Sequence, residues 1–391
     1  SIAKSLKLQE INFHFGRMQT SLQFNPPNFF MHLNYSTKAL FTGSEWLNDV
    51  VVHIENELVV GIEQKGFDVN NAIPFIIPAL IDLQLYGACG KLLSEFPEKE
   101  TIEKIYQSCL EGGTGFFQPT IASQSMDVIY ASIDAVKAYK DAGGKGCIGL
   151  HLEGPWIHTS KKGAHDASVI HAPDMEEVHS ILAYGADAIS MITLAPEVCS
   201  PSIIKTIQDA GIIVSAGHTN ASYETAMQFF NGGISVATHL FNAMSSFQHR
   251  APGVVGALFD HPTAMSSIIA DGYHVDYAAI RIAKNIMGDR LFCITDAVTA
   301  TNTGLYQHTL VGDKYESAGT LSGSALTQLK SIQNMVEYVG IPFGEAIRMC
   351  SLYPAKVMKN KKIPGTIEIN KKANLLCLDS DFTILNSAIS H

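Results

Sequence analysis

The chain has 391 residues, 46% hydrophobic and only 16% charged, enough for a large core and for more than one domain. Its net charge of −10, with no basic cluster, argues against nucleic acid and against an anionic membrane as main partners. No apolar run reaches the length of a bilayer span, and seven scattered cysteines without a Cys-x-x-Cys pair point to reduced thiols and a cytoplasmic setting.

Residues 1–33 are expected to be an N-terminal extension with little structure of its own. From Asn34 onward the pattern is β, with short Val- and Ile-rich runs at 38–41, 50–54 and 58–62 separated by turn residues. Glu55-Asn56-Glu57 reads as a tight hairpin connection. Three short strands cannot close a sandwich, and the apolar run at 373–378 supplies a partner from the other chain end. A small β-sandwich is therefore expected from 34–77 and 359–391. The last hairpin of such a domain is not visible after Leu385.

Between these segments, eight short apolar runs (75–85, 116–119, 147–153, 188–194, 212–216, 235–238, 264–270 and 291–294) alternate with helical stretches. The helical pattern is clearest at 126–141, 174–183, 201–210, 223–231, 276–287, 326–339 and 343–349. The rhythm predicts an α/β fold, a (β/α)8 TIM-like barrel over 78–358. The alternative is a doubly wound open sheet, and the absence of a G-x-G-x-x-G after the first run weakens its dinucleotide-binding form.

Barrel enzymes carry their chemistry at the carboxyl ends of the strands. Here those ends are rich in polar groups: Asp82, Gln84 and Tyr86 after the first run, His151 and Glu153 after the third, His218 after the fifth, His239 and Asn242 after the sixth, Asp271 and His274 after the seventh, Asp296 after the eighth. Glu153, His218 and His239 are the donor types of a catalytic divalent-metal site, which lowers the pKa of bound water towards about 7 and polarises a carbonyl. Zinc, iron, cobalt and nickel suit these donors about equally. Asp296 is placed to shuttle a proton, or else to cap its own loop. Arg250, in the loop after the sixth run, suits a phosphate or is simply a solvated surface residue. His165 is placed to donate to a developing oxyanion. Ser324 either caps the helix that follows or, with Leu321, Ser322 and Gly323, lines a sugar site.

The ordered motifs His-Leu-Glu-Gly-Pro (151–155), Ala-Gly-His-Thr-Asn-Ala (216–221), Thr-His-Leu-Phe-Asn-Ala-Met (238–244), Ala-Pro-Gly (251–253), Asp-Gly-Tyr-His (271–274), Thr-Asp-Ala (295–297) and Leu-Ser-Gly-Ser (321–324) resemble the N-acetylglucosamine-6-phosphate deacetylases of the amidohydrolase superfamily. The resemblance implies hydrolysis of N-acetylglucosamine 6-phosphate to glucosamine 6-phosphate and acetate, in a homodimer. It implies one divalent metal ion per subunit on Glu153, His218 and His239, with Asp296 as general base and acid and His165 as polariser of the acetamido carbonyl. It places Ala164, His165, Asn242, Ala243, Arg250, Asp271, His274, Leu321, Ser322 and Gly323 at substrate-binding positions, with Arg250 drawn from its own or the neighbouring subunit. Wider relatives carry His-x-His after the first strand and bind two metals; Gln84 and Tyr86 stand there in this chain, which implies a single-metal site. The remaining readings are the same chemistry on N-acetylgalactosamine 6-phosphate, a different amidohydrolase, and a silent scaffold on the same fold.

Overall fold

The computed structural model describes residues 32–64, 72–358 and 363–389. Most of the expected extension lies outside them. Its last two residues do not belong to an extension, because His32 and Leu33 already pair with Glu55 and Ile54 in a strand.

Eight parallel strands form the barrel in chain order: Leu80–Leu85, Thr114–Ile121, Leu150–Glu153, Ile189–Leu194, Ile213–Ala216, Val236–Ala237, Met265–Ile269 and Leu291–Ile294. All eight apolar runs contribute one. The first strand meets the last beyond the strand ends, where the Asp296 amide donates to the Gln84 carbonyl at 2.9 Å and the Tyr86 amide to that of Ala297 at 2.8 Å. Inside the seam, the Thr295 hydroxyl donates to Asp82 Oδ2 at 2.5 Å. Burial pushes the Asp82 carboxyl up to about 6, against the pull of the Thr295 hydrogen bonds.

Crossover helices with an apolar stripe cover the barrel, and several start on a capping side chain. Asp174 accepts from the Glu177 amide, Ser200 from Ile203, Ser222 from Thr225 and Thr327 from Lys330, each satisfying an otherwise unpaired donor of the first turn. Three helices add to those read from periodicity: Lys99–Glu111, Gly253–Asp260 and Leu352–Met358. The second of these buries nearly every side chain and so has no polar face to generate an amphipathic signal.

The chain ends build one six-stranded sheet, with Ile384–Ile389, Asn374–Leu378, Ile73–Pro78, His32–Phe41, Trp46–Glu55 and Leu58–Gln64 side by side. The run 75–85 thus serves two sheets. The sheet folds over upon itself, because the Val59 amide donates to the Lys371 carbonyl and the Ala373 amide to that of Glu57. Leu40, Val52, Val59, Ile76 and Leu375 fill the enclosed core. Asn56 and Glu57 both take positive φ, 50° and 68°, as a two-residue hairpin turn of this twist requires. The chain beyond Leu385 continues the strand antiparallel to Asn374–Leu378 as far as Ile389.

An aromatic group locks this domain to the barrel. Phe41 packs on Trp46 at 4.8 Å between ring centres, Trp46 on Phe343 at 5.5 Å, and Phe343 on Phe382 at 4.8 Å. The Arg348 guanidinium lies over Phe41 and donates to the Gly43 and Ser44 carbonyls. Phe41 is 1% exposed. Phe41→Ala is expected to cost about 3–5 kcal/mol of stability, read as a lower urea midpoint; a loss under about 1 kcal/mol would show the two units to be held by other contacts.

Candidate active site

The loops beyond the carboxyl ends of the strands surround a cleft of about 870 Å³, part of it open to solvent. Its wall includes Glu153, His165, His218, His239 and Asp296, from the third, fifth, sixth and eighth strand ends and the loop after the third. Three of these residues sit at left-handed backbone angles: His218 at φ 49°, His239 at 40° and Asp296 at 55°. Each costs on the order of 1–3 kcal/mol for a residue with a Cβ. The turn ends the strand and throws the side chain inward over the rim. At the fifth strand this needs Gly217, where a Cβ would stand 2.6 Å from Thr193 Cγ2.

Glu153 is the hub. Its Oε1 faces His239 Nε2 at 2.9 Å, His218 Nε2 at 3.3 Å and Gln84 Nε2 at 2.9 Å. Its Oε2 accepts from the Tyr86 hydroxyl and faces His165 Nε2 at 3.2 Å. Burial would raise this carboxyl, but attraction to His218 and the hydrogen bonds of the three histidines hold it well below the usual range. Burial pulls His218 down; at His239 burial acts the same way, and the hydrogen bond and charge of Glu153 outweigh it and raise the value.

The far ring nitrogens decide what each histidine offers. His218 Nδ1 lies 2.8 Å from the Lys161 carbonyl and His239 Nδ1 3.1 Å from that of Asn242. A carbonyl only accepts, so both Nδ1 atoms carry the hydrogen, and in the neutral ring each Nε2 is left to offer its lone pair. Those two Nε2 atoms are 3.2 Å apart, and each points at an anionic oxygen. Two Nε2 atoms and a carboxylate packed this closely, with both Nδ1 hydrogens turned away, are the arrangement a cation satisfies. His165 is different. The Ser123 amide donates to its Nδ1 at 3.2 Å, so the hydrogen sits on Nε2 and points at Glu153. Glu153, His165 and His218 offer ligand atoms within 4.8 Å of one another, but the tautomers make His239 the third lone-pair donor and His165 a hydrogen-bond donor.

Asp296 lies across the cleft, its Oδ1 2.8 Å from Gln84 Nε2 and 3.2 Å from the Tyr86 hydroxyl. Burial first, then the charge of Glu153, raises its carboxyl.

Of the residues expected to bind substrate, Ala164, His165, Asn242, Ala243, His274, Leu321, Ser322 and Gly323 line the cleft. Asp271 stands behind His274 and takes its Nδ1 hydrogen at 2.6 Å, so it orients that ring. Arg250 is exposed and outside the wall of its own cleft. His151 is a core residue, held between the Leu83 carbonyl and the Thr193 hydroxyl and pushed down to about 4 by burial. Tyr306 and His308 also line the cleft, from an irregular segment whose sequence carries no periodic signal. Tyr306 donates to the Ser123 carbonyl at 2.6 Å, and His308 Nδ1 pairs with the Ser322 hydroxyl at 2.9 Å.

A closed parallel barrel with a carboxylate, imidazoles and an opposing aspartate at its carboxyl rim defines the barrel hydrolases of the amidohydrolase kind. The sequence profile of the amidohydrolase family matches residues 75–390. The N-acetylglucosamine-6-phosphate deacetylase of Haemophilus influenzae is 33% identical over 90% of this chain and 96% of its own. A crystal structure of N-acetylglucosamine-6-phosphate deacetylase from Pasteurella multocida superposes with a TM-score of 0.84 at 33% identity, covering 91% of this chain and 98% of the other. The N-acetylgalactosamine-6-phosphate deacetylase of Escherichia coli O157:H7 is 28% identical, over 88% of this chain and 94% of its own. The chain belongs to the amidohydrolase family, among its N-acetylglucosamine-6-phosphate deacetylases.

Proposed function

We propose that the protein removes acetate from N-acetylglucosamine 6-phosphate, with one divalent ion, zinc or a close equivalent, held by Glu153, His218 and His239. The observation that carries the reading is the pair of Nε2 atoms, 3.2 Å apart, facing one carboxylate oxygen. When bound, the ion supplies the positive charge that acidifies a water and polarises an amide carbonyl. Asp296 takes a proton from the attacking water and returns it to the sugar nitrogen as the carbon–nitrogen bond breaks. Its raised affinity for a proton suits that exchange. The Nε2–H of His165 turns from Glu153 to the carbonyl oxygen and donates to it as charge develops there. Asn242, the backbone of Ala243 and the Leu321-Ser322-Gly323 segment hold the sugar.

Among the described residues the cleft wall contains no lysine and no arginine, yet a phosphate needs a cation. His274, its ring oriented by Asp271, donates Nε2–H to the phosphate as the imidazolium. We assign the permanent charge to Arg250 of a second copy, because Arg250 lies exposed beside the exposed Phe247; the active form is then a homodimer. Seven free thiols accord with a cytoplasmic setting in amino-sugar breakdown. Among the described residues no helix is long and apolar enough to cross a membrane.

The test is acetate release from N-acetylglucosamine 6-phosphate, with and without chelator, beside the unphosphorylated sugar. Chelator-sensitive release that favours the phosphorylated sugar at least about tenfold in kcat/KM supports the reading, tenfold being about 1.4 kcal/mol of discrimination. No release from a metal-loaded preparation sinks it. The similarity to an N-acetylgalactosamine-6-phosphate deacetylase favours one second reading, so the 4-epimer belongs in the same assay.

A further inference from the structure

We propose that the Tyr86 phenol takes the place of a second cation at this rim: it bridges Glu153 and Asp296, keeps the centre a one-ion site, and holds both carboxylates in their working positions. The kinetic half rests on the deacetylase reading above; the ion count does not.

Glu153 and Asp296 are 1% and 8% exposed and face each other across Gln84 and Tyr86. Two buried carboxylates this close repel unless something between them supplies hydrogens or positive charge. Here the groups between them are neutral. The Tyr86 hydroxyl donates to Glu153 Oε2, stands 3.2 Å from Asp296 Oδ1, and accepts from Gln84 Nε2 at 2.7 Å. The Gln84 amide also reaches Glu153 Oε1 at 2.9 Å and Asp296 Oδ1 at 2.8 Å. Two amide hydrogens and one phenolic hydrogen thus face four oxygens, both of Glu153, Oδ1 of Asp296 and that of the phenol, so every hydrogen is used and at least one is shared.

The phenol cannot swing away. Its side chain packs against the cluster of Leu92, Val298 and Tyr306 and forms part of the cleft wall. A second ion here would need Glu153 Oε2 and Asp296 Oδ1 as ligands, and the phenol holds the first and stands beside the second. Residues 84 and 86, two apart at the end of one strand, project towards the same spot. The phenol therefore does two things a cation would do: it screens the pair and fixes the distance between them.

The experiment counts ions in dialysed, zinc-reloaded protein and measures kinetics on the same preparations. Wild type is expected to hold one ion per chain. Gln84→His/Tyr86→His, which replaces the neutral donors with ligands and frees Glu153 Oε2, is expected to hold two. Tyr86→Phe is expected to keep one ion and to stay folded while kcat falls about 10- to 100-fold, the loss of one hydrogen bond to charged groups, with KM within about threefold. A double-histidine variant that stays at one ion, or Tyr86→Phe with full kcat, overturns the proposal. If wild type releases no acetate yet the ion counts are one and two, the substrate reading fails and the cation-substitute role stands.

Discussion

Asp296→Asn is expected to retain its ion and to lose turnover by about 10²- to 10⁴-fold, the range of a general acid–base catalyst. Only Oδ1 of Asp296 is tied down, by Gln84 and Tyr86; among the described residues Oδ2 accepts no hydrogen bond and the side chain lines the cleft. An asparagine preserves size and leaves an oxygen for Gln84, so the geometry of the pocket survives. What it removes is the ability to take a proton and give it back. Because Asp296 makes no direct contact with His218 or His239 in the structure, the ion count should stay at the wild-type value. The diagnostic combination is a normal ion count, a normal melting curve and a collapsed kcat with KM little changed. Near-normal kcat would mean that another group moves the proton. Lost ion would mean that Asp296 acts as a ligand instead.

How far the sequence reached depended on what kind of order each part has. The barrel strands were legible because a strand buried on both faces must be a short apolar run, and all eight runs are strands. The division of 75–85 was not, since apolar continuity carries no mark where the chain leaves one sheet at Pro78 and enters another at Leu80. The helix Lys99–Glu111 buries Ile102, Ile105, Tyr106 and Cys109, a spacing that sequence periodicity could have caught. Gly253–Asp260, buried nearly all round, could not have been caught that way. Glu153, His218, His239 and Asp296 stood out because ionisable residues at the ends of buried runs are costly without a partner. Tyr86 was visible only as a residue that is a poor zinc ligand. Its contacts to Glu153 and Asp296 join residues 67 and 210 positions away, and no local pattern encodes that. Tyr306 and His308 escaped for the same reason: their partners, Ser123 and Ser322, are set by how an irregular segment lies over the rim.

Glu153→Gln is expected to abolish ion retention and with it all activity above background. The substitution changes no heavy-atom count, but it removes the one negative charge to which both imidazole Nε2 atoms point. It also puts two amide hydrogens where His165 and Tyr86 already donate to Oε2, and Gln84 to Oε1. At least one of those donors must then face another donor inside a site where Glu153 is 1% exposed, which costs the desolvation of an unpaired group. The readout that separates binding from chemistry is thermal. Ion at 100 times its dissociation constant stabilises a protein that binds it only when folded by about 2.7 kcal/mol, so zinc should raise the wild-type melting temperature and chelator should lower it. Glu153→Gln should melt at one temperature in both. Asp296→Asn should instead keep the wild-type response, which makes the two variants controls for each other: one has the ion without the proton shuttle, the other the shuttle without the ion. If Glu153→Gln still answers to zinc, the histidines hold the ion unaided, and the carboxylate serves as the anchor for Tyr86 and His165 instead.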